Sequence, residues 1–419
     1  MPWYTPAKTL EAHNTRSLYA ETAWFGILSG LTATFVSVFA LRLGATTEQV
    51  GWLTALPALV NVIWLIPASR LIERHRGLPL VFYTGLAQRL GYIVMAAMPF
   101  FVVSGRVEAL IVIQMLVTLP SAVINTAVTA MIPDLVSAEN RGQVVSTRWL
   151  ILAATSTLAA LAGGKFLDLL PVPLNYQILL GVGSAVSLLG LVNLRRIKMP
   201  GLAPARRTGM AGVRRGRSQP QGGLREVFSE RGFVRFTIAA FVFHWGLYLP
   251  AALWSVLRVR DLGASDTWIG LIAVVVDGST IAGYLLWGKA RARWGDRWTL
   301  VVSGLLVTFY TLLTALVPTI EWMILTSIVG GFSWAGCNLA LFNVMLAVCP
   351  DNRRPTYVAL YTALMNVTAF AGPLLGASLS EVTGIRWTFV ASTGLRLAGM
   401  VLLFLLLPRP KGEGRERPT

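Results

Sequence analysis

Asp277 is the residue of this sequence whose surroundings point most directly to chemistry. It stands ten residues into an apolar stretch that begins near 267, and no other acid lies so far inside such a stretch. A charge at the centre of a membrane costs about 2.5–3.5 kcal/mol on insertion scales, so such residues usually have a function. This carboxyl group could bind and release a proton, or it could be paired structurally with a donor on a neighbouring helix.

His244 and Glu21 are the next candidates for proton chemistry. Of the three histidines, His244 alone lies deep in an apolar stretch. Its titration range would suit a proton relay, whereas a neutral ring bonded to a backbone carbonyl would be only structural. Glu21 lies nearer the end of its stretch, where it could take part in coupling or simply be hydrated. No second histidine or cysteine stands at ligand spacing, so we expect no metal and no cofactor.

Twelve apolar stretches must position these residues. Hydrophobic residues form 55% of the 419 and charged residues only 13%, which is too few charges to cover a soluble protein. About 20 apolar residues cross a membrane, and a helix satisfies its own backbone hydrogen bonds there. The composition therefore excludes an ordinary soluble enzyme, a disordered chain and a disulfide scaffold. The predicted helical spans lie near 18–41, 49–69, 79–103, 109–131, 143–164, 175–194, 235–257, 267–288, 299–317, 321–347, 356–380 and 387–407.

Lysine and arginine are distributed unevenly between the connections of these spans. With residues 1–17 placed inside, the inner segments hold 27 of the 36 and the outer connections hold six. This positive-inside pattern predicts a multi-pass cell-membrane protein with both termini in the cytoplasm. Eleven of the basic residues fall in 195–235, beside no nucleic-acid-binding module. We therefore expect a cytoplasmic linker near anionic lipid, and no nucleic-acid partner.

The second half of the chain repeats features of the first. Residues 43–46 (Leu-Gly-Ala-Thr) match 262–265 (Leu-Gly-Ala-Ser) at a shift of 219, and Asn125 matches Asn338 at a shift of 213. Because six spans are an even number, two such halves run parallel and can hold a substrate between them near the midplane. The predicted domains are an N-terminal half at 1–194, a linker at 195–234, a C-terminal half at 235–407 and a cytoplasmic tail at 408–419.

The chain resembles the major facilitator superfamily along essentially its whole length. That family has a loop of the form G-x-x-x-D-R-x-G-x-x-R between spans two and three. Here 69–76 keeps an acid–base pair, and 288–297 keeps the glycines and arginines. The resemblance implies an all-α membrane protein with twelve transmembrane helices in two pseudo-symmetric six-helix halves. It also implies a cytoplasmic gate, unless ordinary loop charge explains these residues. The gate candidates are Glu73, Arg74, Arg148 and Arg293.

In that family, spans one, four, seven and ten line the central cavity. Aromatic residues in membrane helices also face lipid or pack in the protein core. This is the alternative for the aromatic residues among the binding candidates named below. Arg89 and Arg396 lie in spans that are peripheral in the family, where snorkelling or a nearby carbonyl would accommodate them. The resemblance implies substrate binding by Trp24, Gln114, Asn125, His244, Tyr248, Trp334 and Asn338.

These features predict a secondary active transporter and no enzyme. The sequence has no G-x-x-x-x-G-K-[ST] loop, so an ion gradient or the substrate gradient must drive movement. Few cavity charges favour an uncharged, amphipathic or cationic small molecule, exported by a monomer in which Asp277 and His244 couple transport to protons. One alternative is a facilitator or importer of a nutrient such as a sugar or metabolite. Another is a receptor with a transporter fold that moves nothing.

Overall fold

The computed structural model describes residues 7–75, 77–198, 230–350 and 354–406. These residues form an all-helical bundle, as predicted, in which ten helices are long and apolar enough to cross a membrane. One of them, Asp266–Leu316, contains two spans because Gly295 breaks its helical backbone with a φ of 76°. A bent helix, Thr47–Arg74, provides one further span. The described bundle is therefore compatible with the twelve predicted spans.

The helices are numbered along the chain, and each half contains six. The predicted linker falls mostly on 199–229 and the predicted tail on 408–419, and both lie outside the described residues. The N-terminal half contains α1 (Ala7–Arg42), α2 (Thr47–Arg74), α3 (Leu78–Phe101), α4 (Arg106–Leu135), α5 (Arg141–Leu167) and α6 (Leu174–Arg196). The C-terminal half contains α7 (Arg231–Asp261), α8 (266–294), α9 (296–316), α10 (Trp322–Val348), α11 (Arg354–Thr383) and α12 (Ile385–Leu406).

α7 is irregular in its second half. Its α-helix ends at Tyr248, shortly before Pro250, and resumes over Leu253–Val256. Proline has no N–H to donate, which explains the interruption. The span then finishes as a π-helical turn, Leu257–Asp261. Such turns change the direction in which the following side chains point and often occur at functional sites.

The bundle has two ends that differ in how the halves meet. We call the end where α6 stops and α7 starts the linker face, and the opposite end the far face. At the far face, the Thr46 hydroxyl caps α2 at 3.1 Å and the Ser265 hydroxyl caps α8 at 3.5 Å. Gly44 (φ 92°) and Gly263 (φ 62°) adopt left-handed backbone conformations just before these caps. The turns at 43–46 and 262–265 thus share their structure as well as their sequence.

The two halves meet where α2 packs on α11 and where α5 packs on α8. Repeat-related glycines allow this approach. A Cβ on Gly51 would lie 3.1 Å from the Ala377 Cβ, and one on Gly270 would lie 2.5 Å from the Ala160 carbonyl oxygen. Small residues let membrane helices pack closely. Hydrogen bonds join the halves between the far face and the level of Asp277. These contacts hold the two halves together at the far face.

Candidate functional site

A cavity of about 330 Å³ lies between the two halves, with walls from α1, α5, α7 and α8. We call it the polar cavity. Both Asp277 and Arg258 line it, so groups of opposite charge face one space. Hydroxyl groups supply much of the remaining polar wall. They belong to Ser29, Thr34, Ser156 and Ser255.

Asp277 lies in this cavity and also joins the two halves. Its Oδ2 accepts a hydrogen bond from the Thr157 hydroxyl at 2.7 Å, and Thr157 belongs to α5 of the other half. No ion pair between described residues includes Asp277. Any movement that separates α5 from α8 at this level must break the hydrogen bond. A role of Asp277 in proton coupling stays a prediction.

Arg258 is a site residue that sequence reasoning missed. The seventh span was predicted to end at 257, which left Arg258 and Arg260 in an outer connection. In the structure α7 continues to Asp261, and Arg258 is partly buried whereas Arg260 is exposed. Two residues that are two positions apart point about 200° apart around a helix. The spacing of these two arginines therefore indicates that one of them faces the interior of the bundle when the other faces outward.

A second cavity, of about 470 Å³, lies within the C-terminal half and shares Arg258 with the polar cavity. We call it the aromatic cavity, because the rings of Trp254 and Tyr310 stack in it with centroids 5.0 Å apart. Tyr248 and Trp334, two of the predicted substrate-binding residues, also line it. Arg258 thus stands where a polar space meets an aromatic one.

A third cavity, of about 230 Å³, lies within the N-terminal half and contains two more predicted residues, Gln114 and Asn125. Its wall is rich in amides and hydroxyls. The Gln88 amide donates to the Ser121 hydroxyl at 2.7 Å. The Oε1 atoms of Gln88 and Gln114 are buried without a hydrogen-bond partner. Unpaired buried acceptors of this kind require explanation, and a bound water or ligand donor would supply it.

His244 makes the backbone contact that the structural alternative describes. Its Nδ1 lies 2.7 Å from the Ala240 carbonyl oxygen, so a neutral ring donates a hydrogen bond to its own helix. The ring also lies beside Tyr248 and Tyr361, with centroids 6.3 and 6.2 Å away. Its roles in substrate binding and proton coupling stay predictions.

The remaining predicted wall residues, Trp24 and Asn338, lie away from the polar cavity. Trp24 lies against Gly190 of α6, where a Cβ on the glycine would be 3.3 Å from the Trp24 Cβ. Asn338 is exposed, and its amide donates to the Tyr284 hydroxyl at 3.0 Å. Substrate binding by these two residues is still a prediction.

The predicted cytoplasmic gate residues are spread over the linker face. Glu73 and Arg74 are exposed at the end of α2, and Arg293 is exposed on α8. Arg148 donates to the Thr22 hydroxyl at 3.1 Å, inside the N-terminal half. Among the described residues, no ion pair joins the halves at this face. Their gating role stays a prediction for a conformation in which the linker face is closed.

The far face is closed by two arginines that bind reciprocally. Arg42, the last residue of α1, donates to the Ala264 carbonyl of the other half at 2.7 Å. Arg260, near the end of α7, donates to the Ala45 carbonyl. Ala45 and Ala264 are related by the shift of 219, so each half binds the same turn of the other. We call these four residues the reciprocal latch.

Asp168, which follows α5, adds a carboxylate to this closure. It accepts hydrogen bonds from the backbone N–H groups of Asp266 and Thr267 at 2.9 and 3.0 Å. The first N–H groups of a helix have no partner within it, so a carboxylate stabilises the start of α8. Partial burial alone would raise the pKa of Asp168, but hydrogen bonds from Thr267 and Asp266 outweigh burial and hold that pKa below its usual value.

Arg89 and Arg396 are both buried, and both bind backbone carbonyls. A nearby carbonyl was one of the two partners that the sequence analysis allowed for them. Arg89 donates to the Ser187 carbonyl at 3.0 Å and to Glu21 at 3.2 Å. Arg396 donates to the carbonyls of Gly246 and Val307, each at 3.1 Å. These contacts hold the arginines in place within their own halves.

The paired six-helix halves and the cavity between them are the architecture of a multi-pass membrane protein. The family model described as Major Facilitator Superfamily matches residues 22–257 and 236–419. The chain belongs to the Major Facilitator Superfamily.

Curated relatives of the chain include proteins named as transporters. The chain is 25% identical to Efflux pump aflT of Aspergillus parasiticus over 154 residues, which are 37% of this chain and 29% of that protein. It is 23% identical to Vacuolar basic amino acid transporter 5 of Saccharomyces cerevisiae over 131 residues, 31% of this chain and 22% of that protein. The matched region therefore spans less than a third of each relative.

Solved structures of transporters share the fold along nearly the whole chain. The nucleoside transporter NupG aligns with a TM-score of 0.69 at 12% identity, covering 96% of this chain and 99% of that one. A bacterial homologue of the human lysosomal transporter Spinster, inward-facing and occupied, aligns with a TM-score of 0.67 at 14% identity, covering 96% and 97%. At these identities the likeness shows the fold alone.

Proposed function

We propose that this chain moves a small amphipathic compound by alternating access and that Asp277 couples this movement to protons. The observation that carries the proposal is the hydrogen bond from Thr157 of α5 to Asp277 of α8, beside the polar cavity. A group that can change its charge where the halves separate links proton binding to the rocking of the halves.

The closed far face corresponds to one end state of the cycle, in which the central space opens toward the linker face. With the linker face in the cytoplasm, as the positive-inside pattern predicts, this is the inward-facing state. In the opposite state, α5 and α8 part and Asp277 loses its bond to Thr157. A charge-assisted hydrogen bond is about twice as strong as a neutral one. Protonation of Asp277 would therefore change the free-energy difference between the two states.

The direction of transport depends on whether the compound and the proton compete. A compound that competes with the proton is exported against an inward proton gradient, and one that binds together with the proton is taken up. Export is the direction that the sequence analysis favours, and the similar Aspergillus protein is named an efflux pump. Uptake of a nutrient is the second candidate, because Arg258 and Asp277 line one cavity and could hold a compound and a proton together.

The test is proton flux in proteoliposomes that contain the full chain and the pH-sensitive dye pyranine. Naphthalene-2-sulfonate, rhodamine 6G and uridine serve as anionic, cationic and neutral probes, with protein-free liposomes as the blank. We expect at least one probe to cause proton movement, and Asp277→Asn to abolish it while the probe still binds. Glu321→Gln, which alters an exposed carboxyl group, is the matched control. Unchanged proton flux in Asp277→Asn would reject the coupling role, and no movement of any probe would support the receptor alternative.

A further inference from the structure

Arg258 lacks the acceptors that the other buried arginines have. A guanidinium group carries five N–H donors and stays charged. Arg89 has Glu21 and carbonyl oxygens, and Arg396 has two carbonyl oxygens. By contrast, the Arg258 Nε is buried without a hydrogen-bond partner, and the side chain interacts with the Tyr310 hydroxyl but, among the described residues, forms no ion pair. An uncompensated charge in a membrane interior is costly, so the site favours an acceptor from outside the chain.

The carboxyl group that shares the polar cavity does not fill this role. Asp277 is engaged by Thr157, and its carboxylate is not within 4.0 Å of the Arg258 guanidinium. Three serine hydroxyls, from Ser29, Ser156 and Ser255, line the same space. Hydroxyl donors and a guanidinium fork together suit the oxygens of a carboxylate, sulfonate or phosphate group.

The other side of Arg258 faces an apolar space. The aromatic cavity is walled by Trp254, Tyr310 and Trp334, together with aliphatic side chains. The Arg258 guanidinium carbon lies 5.9 Å from the centre of the Trp254 ring, which helps to fix the side chain between the two cavities. A ligand with a charged end and an aromatic or aliphatic body would match this division.

We infer that the transported compound is an amphipathic organic anion, with its anionic group bound by Arg258 and its apolar body in the aromatic cavity. This inference rests on the proposed function, since it names the substrate class of the same site. A cationic compound, which the sequence also favoured, would be repelled by Arg258. An ionised Asp277 in the same cavity repels the anion, so anion binding and protonation of Asp277 favour each other. That linkage makes the anion and the proton travel together and favours uptake.

The experiment measures binding to the purified full chain in detergent, without any gradient. Thermal unfolding is followed with sodium naphthalene-2-sulfonate, naphthalene-2-sulfonamide or 2-naphthyltrimethylammonium, which share an aromatic body and differ in charge. We expect the sulfonate to bind at least tenfold more tightly than the other two. Arg258→Gln should weaken sulfonate binding about 10–100-fold, as loss of a charged hydrogen-bond donor implies. Arg258→Lys should retain part of the affinity, because it keeps the charge without the fork. Arg291→Gln, an exposed arginine of the same half, should bind normally.

Asp277→Asn is a second, independent variant that keeps Arg258 intact. It should bind the sulfonate a few-fold more tightly, because it removes a negative charge from the cavity. The inference is overturned by equal binding of sulfonate and sulfonamide, by no binding of any probe, or by unchanged sulfonate binding in Arg258→Gln. Preference for the ammonium probe also overturns it. Sulfonate binding without proton flux would keep Arg258 assigned and reject the proposed coupling instead.

Discussion

The two halves of the bundle differ in the partners that they give to Arg89 and Arg258. In the N-terminal half, Arg89 is completely buried and paired with Glu21 at 3.2 Å. In the C-terminal half, Arg258 and Asp277 line an open cavity, and no ion pair between described residues neutralises either one. Arg396 of the C-terminal half is satisfied by carbonyl oxygens of its own half, so the contrast concerns Arg258 and Asp277, which face the cavity. Among the described residues, both charged groups that line the polar cavity therefore belong to the C-terminal half.

The two halves share the backbone conformation of corresponding turns. The turn between α2 and α3 passes through Gly77 with a φ of 126°, and the turn between α8 and α9 passes through Gly295 with a φ of 76°. Both conformations strongly favour glycine. Duplicated turns combined with different buried charges indicate that the halves diverged in their interior side chains and kept their frame.

The largest expected effect is on stability and should separate the halves. Glu21→Gln leaves Arg89 buried without its counter-charge, which should cost about 3–5 kcal/mol of unfolding free energy. Arg258→Gln removes no ion pair and should cost about 1 kcal/mol or less. Unfolding of each purified variant in detergent measures the difference.

Two further variants test this explanation of the ion pair. Glu73→Gln changes an exposed carboxyl group at the end of α2 and should leave stability unchanged. Adding Arg89→Met to Glu21→Gln should restore much of the loss, because the unpaired charge is then gone. Equal losses in Glu21→Gln and Arg258→Gln would contradict the contrast between the halves.

The next effect concerns the reciprocal latch, where the halves should behave alike. Arg42→Ala removes a charged donor to a carbonyl and to the Asp266 carboxylate, and Arg260→Ala removes one to a carbonyl and to the Thr47 hydroxyl. At this partly exposed site each loss is worth about 1 kcal/mol, or roughly fivefold in the ratio of open to closed far face. Spin labels at Val103→Cys and Val382→Cys, both more than 80% exposed at the far face, report that ratio as a distance distribution.

The latch measurement needs two precautions. The native cysteines, Cys337 and Cys349, are replaced by serine so that only the introduced thiols react. Arg106→Ala is the matched control, because its guanidinium binds the Val102 carbonyl within its own half. A large effect for only one latch arginine would show that the closure is not reciprocal.

The smallest effect is a pH dependence of far-face closure. The pKa of Asp168 is lowered in the closed state, so its ionised form stabilises closure. This contribution is fully present above the ordinary aspartate pKa of about 3.9 and is lost as the pH falls through the lowered pKa. The same label distances, measured between about pH 6 and pH 3, should widen at the acidic end.

Asp168→Asn should remove most of this acidic transition and weaken closure at neutral pH. Glu381→Gln, an exposed carboxyl group on α11, should leave the pH profile as it is. A profile that is identical in Asp168→Asn and in the wild type would exclude Asp168 as the titrating group.

The sequence predicted the spans well because hydropathy alone determines where a membrane helix can lie. It also placed Asp277 correctly inside one of them. The sequence did not predict that Arg258 lies in the site, because the seventh span was ended at the first charged residue. In the structure the span continues as a π-helical turn, and Arg258 in that turn lines the cavity. The family resemblance placed Tyr248 and Gln114 in cavities, where the structure has them. The position of Trp24 depends on which side of α1 packs against α6, and the structure places it beside Gly190. Helix rotation of this kind is set by packing and is not visible in composition.

In the reciprocal latch, Arg42 and Arg260 bind main-chain oxygens of Ala264 and Ala45, and every amino acid supplies such an oxygen. Their further acceptors, the Asp266 carboxylate and the Thr47 hydroxyl, lie just outside the two turns. The side chains of the turns at 43–46 and 262–265 can therefore drift during evolution without loosening the closure, provided that the glycines preserve the turn shape. Correlated substitutions, which reveal many contacts between distant positions, should therefore be missing between the arginines and these turn residues. They are expected instead between Arg42 and Asp266 and between Arg260 and Thr47.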